Sequence, residues 1–167
     1  MVRGAVTAER EAAERSLLRH AIATLAYRGG KVLRGAPAGF AQFRAGERSR
    51  NAGEVLAHVG DLFDWAIGLA DGRHAWADSA ALSWEAGSAR FFDGLARLDA
   101  RLSAAPLRCP AGKLFQGPIA DAFTHVGQIA LLRRLAGAPI RGENYFEAKI
   151  DAGRVGLEQL EPGLEFD

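Results

Sequence analysis

Sulfur is scarce in this chain, and long apolar runs are missing. Its one cysteine, Cys109, excludes a disulfide framework within the chain and makes the reducing cytoplasm the expected compartment. That thiol sits between Arg108 and Pro110 in a loop-like stretch, and it is inert unless something lowers its pKa. No charge of one sign dominates: 21 Lys and Arg face 20 Asp and Glu, a formal net charge of +1. Without a run of Lys and Arg to track a phosphate backbone, nucleic-acid binding is not expected. No window reaches the ~20 apolar residues of a membrane span, and Met1 to Arg10 lacks the apolar stretch of a signal peptide. Internal repeats, low-complexity tracts, a phosphate-loop pattern and a serine nucleophile elbow are also missing.

What is present is helical periodicity, in four stretches of a chain whose 167 residues suit one domain. The first is expected from about Thr7, as N-cap, to Tyr27, with Leu17, Leu18, Ala21, Ile22 and Leu25 as its stripe. Gly29-Gly30 is expected to interrupt it, with one more turn over Lys31 to Leu33. A long connection, Gly35 to Arg50, carries Phe40 and Phe43 to pin it to the body. The second helix is expected over Ala52 to Ala70, opened by Asn51 and Glu54 in a capping-box pattern and closed by Asp71-Gly72. The third follows Ser83 and reaches about Leu102, with Phe91, Phe92, Leu95 and Leu98 on one side and Arg90, Arg97 and Arg101 on the other. A loop, Ser103 to Gly117, leads to a fourth helix starting at Pro118 and ending before Gly137, with Arg133 and Arg134 in its last turn. The rest, Ala138 to Asp167, reads as an extended tail on the body with at most a short helical turn. The fold class implied is all-α, a four-helix bundle with long connections, in a topology other than simple up-down-up-down.

The fourth helix carries the anomaly. Asp121, His125, Gln128, Leu132 and Leu135 share a stripe roughly 80° wide. Its leucine half should face a core, which places an acid, an imidazole and an amide against one end of that core. Such a cluster is costly unless paired or coordinated. Asp121 and His125, four residues apart, can converge on one ion. His58 on the second helix is the best third ligand, with Glu54 and Asp61 placed to orient it or to accept a proton. Two imidazoles and a carboxylate suit zinc, nickel, manganese or iron(II). Gln128 could orient substrate or water, or make an interhelical hydrogen bond. A second apolar stripe, Ile119, Ala122, Phe123, Val126 and Ala130, suggests either a central helix or a homodimer interface.

Two segments resemble a known family. Gly53-Glu-Val-Leu-Ala-His58-Val-Gly-Asp-Leu-Phe-Asp-Trp65 is similar to the second helix of the DinB/YfiT-like bundle proteins. The stretch from Gly117 through Asp121, His125 and Arg133-Arg134 to Gly137 resembles their fourth helix, and the following Ala-Pro-Ile-Arg-Gly-Glu-Asn-Tyr145 is also similar. The resemblance implies an often dimeric four-helix bundle with a divalent metal on three histidines, one from the second helix and two from an His-x-x-x-His pair on the fourth. His58 and His125 match two of these, and Asp121 stands where the pair has its first histidine. Some members transfer low-molecular-weight thiols such as bacillithiol or mycothiol to electrophiles, and others look like hydrolases or isomerases.

Three functions therefore compete: a metal-dependent thiol transferase or hydrolase acting on a small molecule; a non-catalytic homodimeric binding or stress-response bundle with a degenerate site; and a metal-free ligand pocket. Elsewhere, His20 and His74 read as surface histidines, and Trp65, Trp76 and Trp84 as packing residues. Tyr27-Arg28 reads as a helix end that could reach the pocket mouth, and Gly60, Gly68, Gly94 and Gly127 as helical glycines that permit close contact.

Overall fold

The structure, a computed structural model, describes residues 2–104 and 106–166, with side chains from residue 8 onward. It is mostly helical. Helix α1 spans Val2–Leu33, α2 Ala52–Ala70 and α3 Trp84–Ser103. A short α4 (Ala111–Leu114) runs through a π turn (Phe115–Ile119) into α5 (Ala120–Leu135). Among the described residues the only strands are β1 (Gly142–Glu143) and β2 (Glu165–Phe166), paired antiparallel. No helix is long and apolar enough to cross a membrane.

The four long helices form a ring in which α3 packs on α1 and α2, and α5 packs on the same two from the other side. Directions follow from the contacts. Leu56 lies at Gly87, Phe63 at Gly94, and Arg101 reaches the Ala70 carbonyl, so α2 and α3 are parallel. Arg19 pairs with Asp99 while Gly29 meets Phe91, so α1 and α3 are antiparallel. His58 lies beside His125 and Trp65 beside Gly117, so α2 and α5 are antiparallel. Two neighbouring parallel helices oblige the segment between them, residues 71–83, to travel back along the whole of α2. That helix has 19 residues and spans about 28 Å. This strap lies over the candidate site.

Glycine makes the α2–α3 approach close. A Cβ on Gly94 would come within 2.9 Å of the Phe63 ring, and one on Gly87 within 2.9 Å of Leu56. Gly29 plays the same part opposite Phe91, which explains why Gly29-Gly30 lies inside an unbroken α1 rather than interrupting it. Burial of the adjoining turns outweighs the ~1 kcal/mol that each helical glycine costs. The core is continuous and includes Ile22, Leu25, Val55, Leu62, Phe63, Phe91, Leu95, Leu98, Ile119 and Ile129.

Several expectations need correction. Helix α1 begins at Val2, so Thr7 lies within it; the Thr7 side chain is outside the described ones. The fourth helix does not begin at Pro118: helix starts at Ala111, and Pro118 sits inside the π turn, where Gly117 leaves helical geometry at φ −89°, ψ −107°. A proline lacks the amide for the i−4 bond, and the wide turn accommodates that. Arg133 and Arg134 do lie in the last turn of α5, and Arg133 is buried there. It donates to the Val32, Arg34, Gly35 and Ala138 carbonyls, closing the open end of α1. Arg90, Arg97 and Arg101 do not point away from the partner helix but reach Asp61, Asp64 and Asp71 along the edge of α2. In the second apolar stripe, Ile119, Ala122 and Val126 are buried in the core and Phe123 and Ala130 partly so, which fits the central-helix alternative. Leu135, expected inside, is 54% exposed.

The tail is held by a buried polar latch and forms no helical turn. Glu143, with no side-chain exposure, accepts from the Tyr27 hydroxyl and the Lys31 ammonium, and Lys31 also pairs with Glu165 at 2.6 Å. Arg28 lies 4.3 Å from the Tyr145 ring centre. Tyr27-Arg28 thus serves the latch and not the mouth of the pocket. Burial and Glu143 push the Tyr27 hydroxyl well above the usual phenol range.

Candidate metal centre

The α2 side of the site is set by a firm helix start. Asn51 accepts from the Glu54 amide at 2.8 Å, and Glu54 returns a bond to the Asn51 amide at 2.7 Å, completing the capping box. His58 follows one turn later. It lies on the flank of α2 whose inner positions, Val55, Leu62 and Ala66, are core, so its ring stands at the core's edge. On α5, Ala122, Val126 and Ile129 face inward, which turns Asp121 and His125 toward α2 at the same level.

The three side chains meet. His58 Nε2 is 3.7 Å from one Asp121 oxygen, and His125 Nε2 is 3.4 Å from the other. The imidazole rings are 4.6 Å apart, centre to centre, and nearly perpendicular at 82°. One ligand atom from each residue lies within 4.8 Å of the other two, so the group could hold a metal ion. Both imidazoles are largely covered, at 16% and 12% side-chain exposure, while Asp121 is 47% exposed and leaves the group open on one side. Burial, the neighbouring His125 and the charge of Arg50 lower the His58 pKa. The shift favours the neutral imidazole, the form a metal needs.

The supporting contacts differ from the expected ones. Gln128 accepts or shares a hydrogen with His125 Nδ1 at 3.1 Å, within one helix, which fixes the ring and directs Nε2 at Asp121. The bond lies within α5 and is not interhelical. Thr124 donates to an Asp121 oxygen at 3.2 Å. Glu54 is committed to the cap. Asp61 accepts from the Ser79 amide at 3.0 Å and from Arg90 at 2.7 Å. Burial alone would raise the Asp61 pKa, but Ser79 and Arg90 outweigh it and hold the carboxyl below its usual range. Neither acid is hydrogen-bonded to His58; Asp61 belongs to a wider His58, Asp61 and Asp78 group on the other flank of the imidazole.

Trp76 was not legible as part of the site. It comes from the strap, 44% exposed, and its ring meets His58 edge-on at 5.3 Å between centres. Trp65 stands behind it, perpendicular at 5.7 Å, and touches His74 as well. Trp84, by contrast, is a packing residue, set edge-on to Phe40 and donating to the Leu33 carbonyl. An open groove of ≈ 630 Å³ begins at His58 and runs between the strap and residues 44–50. Cys109 lies elsewhere, and burial pushes its thiol pKa up, which disfavours the thiolate.

No protein-family model, no curated protein and no solved structure matches the chain. The site is therefore judged on its own chemistry. With His125 Nδ1 engaged by Gln128, its Nε2 is left for a ligand, as are the His58 ring and the Asp121 oxygen that Thr124 does not reach. That donor set fits a borderline divalent cation.

Proposed function

We propose that this chain is a divalent-metal-dependent enzyme of the DinB/YfiT-like type, a thiol transferase or hydrolase working on a small molecule in the cytoplasm. The observation that carries the reading is the convergence of His58, Asp121 and His125 from two helices on one point, with Gln128 holding the His125 tautomer. His58 and His125 supply neutral nitrogens, and Asp121 supplies the charge that balances part of the cation's. A divalent metal there would lower the pKa of a water or thiol and so provide a nucleophile near neutral pH. The chain's own share is orientation and shelter. Trp76 covers one side of His58, the exposed side of Asp121 leaves an approach, and the adjoining groove gives a substrate room. Asp121 in place of a third histidine keeps a three-ligand set while shifting it toward harder cations.

The test is the metal content of the purified protein beside His58→Ala and His125→Ala variants. The expected result is near-stoichiometric metal in the wild type, lost in both variants while circular dichroism shows them folded. A wild type that stays metal-free after incubation with zinc, nickel, manganese and iron(II) would overturn the reading.

A further inference from the structure

The groove beside His58 has one wall of a different character. Residues 44–50 form a closed turn. The Ala52 amide donates to the Phe43 carbonyl at 2.9 Å, the Ser49 amide to the Gly46 carbonyl, and the Ser49 hydroxyl both donates to that carbonyl and accepts from the Gly46 amide. From this pinned turn Arg44, Arg48 and Arg50 line the groove. All three are exposed, and among the described residues none is hydrogen-bonded or ion-paired. The acids across the groove are already engaged: Asp61 by Ser79 and Arg90, Glu54 by the Asn51 amide, and Asp78 by the Trp76 indole at 3.0 Å. Glu47 lies on the arginine wall itself and, among the described residues, is the one lining acid without such a partner.

We propose that this groove is a binding site for an anionic small molecule, whose carboxylate or phosphate group is held by Arg44, Arg48 and Arg50 while the rest of it lies toward His58. Each guanidinium presents a planar fork of donors that matches a carboxylate or phosphate in two-point fashion. A turn already closed by its own hydrogen bonds loses little entropy on binding. The acids of the opposite wall keep a second anion out and orient the ligand with its charged end at the arginines. The uncharged, reacting end then reaches the imidazole side. This deepens the metal reading by naming its substrate class, but anion binding itself needs no metal.

The experiment uses metal-free protein, prepared with a chelator, titrated calorimetrically with inorganic phosphate and separately with succinate. The variants are Arg44→Ala, Arg48→Ala and Arg50→Ala combined, and Arg134→Ala as a control. At least one probe should saturate the wild type, bind more weakly as sodium chloride is raised, and bind roughly tenfold or more weakly to the triple variant. Arg134→Ala, an exposed arginine on α5 outside the groove, should bind as the wild type does. The tighter probe identifies the group as phosphate or carboxylate. Absence of saturable binding by both probes, or binding that survives the triple substitution, overturns the proposal. Metal content of the triple variant should equal that of the wild type, so this proposal and the metal reading fail separately.

Discussion

Two polar clusters join elements far apart in sequence. In the latch, Tyr27 and Lys31 supply donors, and Glu143 and Glu165 supply acceptors at 2.5–2.9 Å, with the Glu143 side chain wholly buried. At the trio, His58, Asp121 and His125 bring lone pairs together at 3.4–3.7 Å with no hydrogen bond among them. Arg133 belongs with the first kind, since its guanidinium meets four carbonyls. Both are polar groups against a core, and burial alone does not separate them. Matching does. Where donors and acceptors pair with one another, the cluster holds the fold; where the groups meet without bonding one another, the cluster has capacity left for something brought from outside.

That contrast breaks most visibly at Glu143. Glu143→Ala leaves Lys31 a half-buried charge with one partner fewer. The expected loss is about 3 kcal/mol of unfolding free energy in urea, or early proteolysis within residues 138–166, with metal content unchanged. The mirror experiment is His125→Ala, which should shift the stability of the metal-free protein by less than about 1 kcal/mol while abolishing metal retention. A metal-free His125→Ala protein as damaged as Glu143→Ala would erase the distinction.

Gln128→Ala sharpens the comparison with a smaller effect. Freed of its partner, the His125 ring should lose roughly tenfold in metal affinity, measured by competition with a chromogenic chelator, while thermal stability of the metal-free protein stays as it was. Smallest of all should be the response to pH. Burial alone would lower the Lys31 pKa, but its bonds to Glu143 and Glu165 outweigh it and raise the value, and the Tyr27 pKa is raised too. Groups raised in the folded state stabilise it fully below their unfolded pKa values, about 10 for both. Latch stability should therefore fall as pH rises past that point. Asp61 has the opposite sign: its lowered pKa stabilises above about pH 4, and that contribution is lost as the solution is acidified further. Urea midpoints across both limits check the two slopes.

What could be read in advance was what short spacing determines. The Asn51 and Glu54 pair marked the start of α2 because a capping box lies within four residues, and Ser83 marked the start of α3 by accepting from the Ala86 amide. Asp121 and His125 could be brought together in advance because four residues on a helix put them on one face, although the stripe expected to face inward is buried only at Leu132. What stayed hidden depends on partners distant in sequence. Nothing local tells that Arg90 will find Asp61 or that Arg133 will cap α1. The same holds for Trp76, whose place at His58 depends on the strap's path. That path follows from the parallel arrangement of α2 and α3, a property of the assembled bundle. The kink at Gly117-Pro118 misled for a related reason. Proline usually opens a helix, and here packing of Leu114 and Ile119 keeps helix on both sides of it.

The strap of residues 71–83 has one more consequence. Like the turn of residues 44–50 across the groove, it is built without helix, and its residues 74–81 are exposed. Changes there carry little cost in core packing, whereas changes in the helical walls disturb the bundle. Among descendants of this chain, preference for one ligand over another would be expected to drift through Trp76, Asp78, Ala80 and Ala81, on a frame that itself stays put.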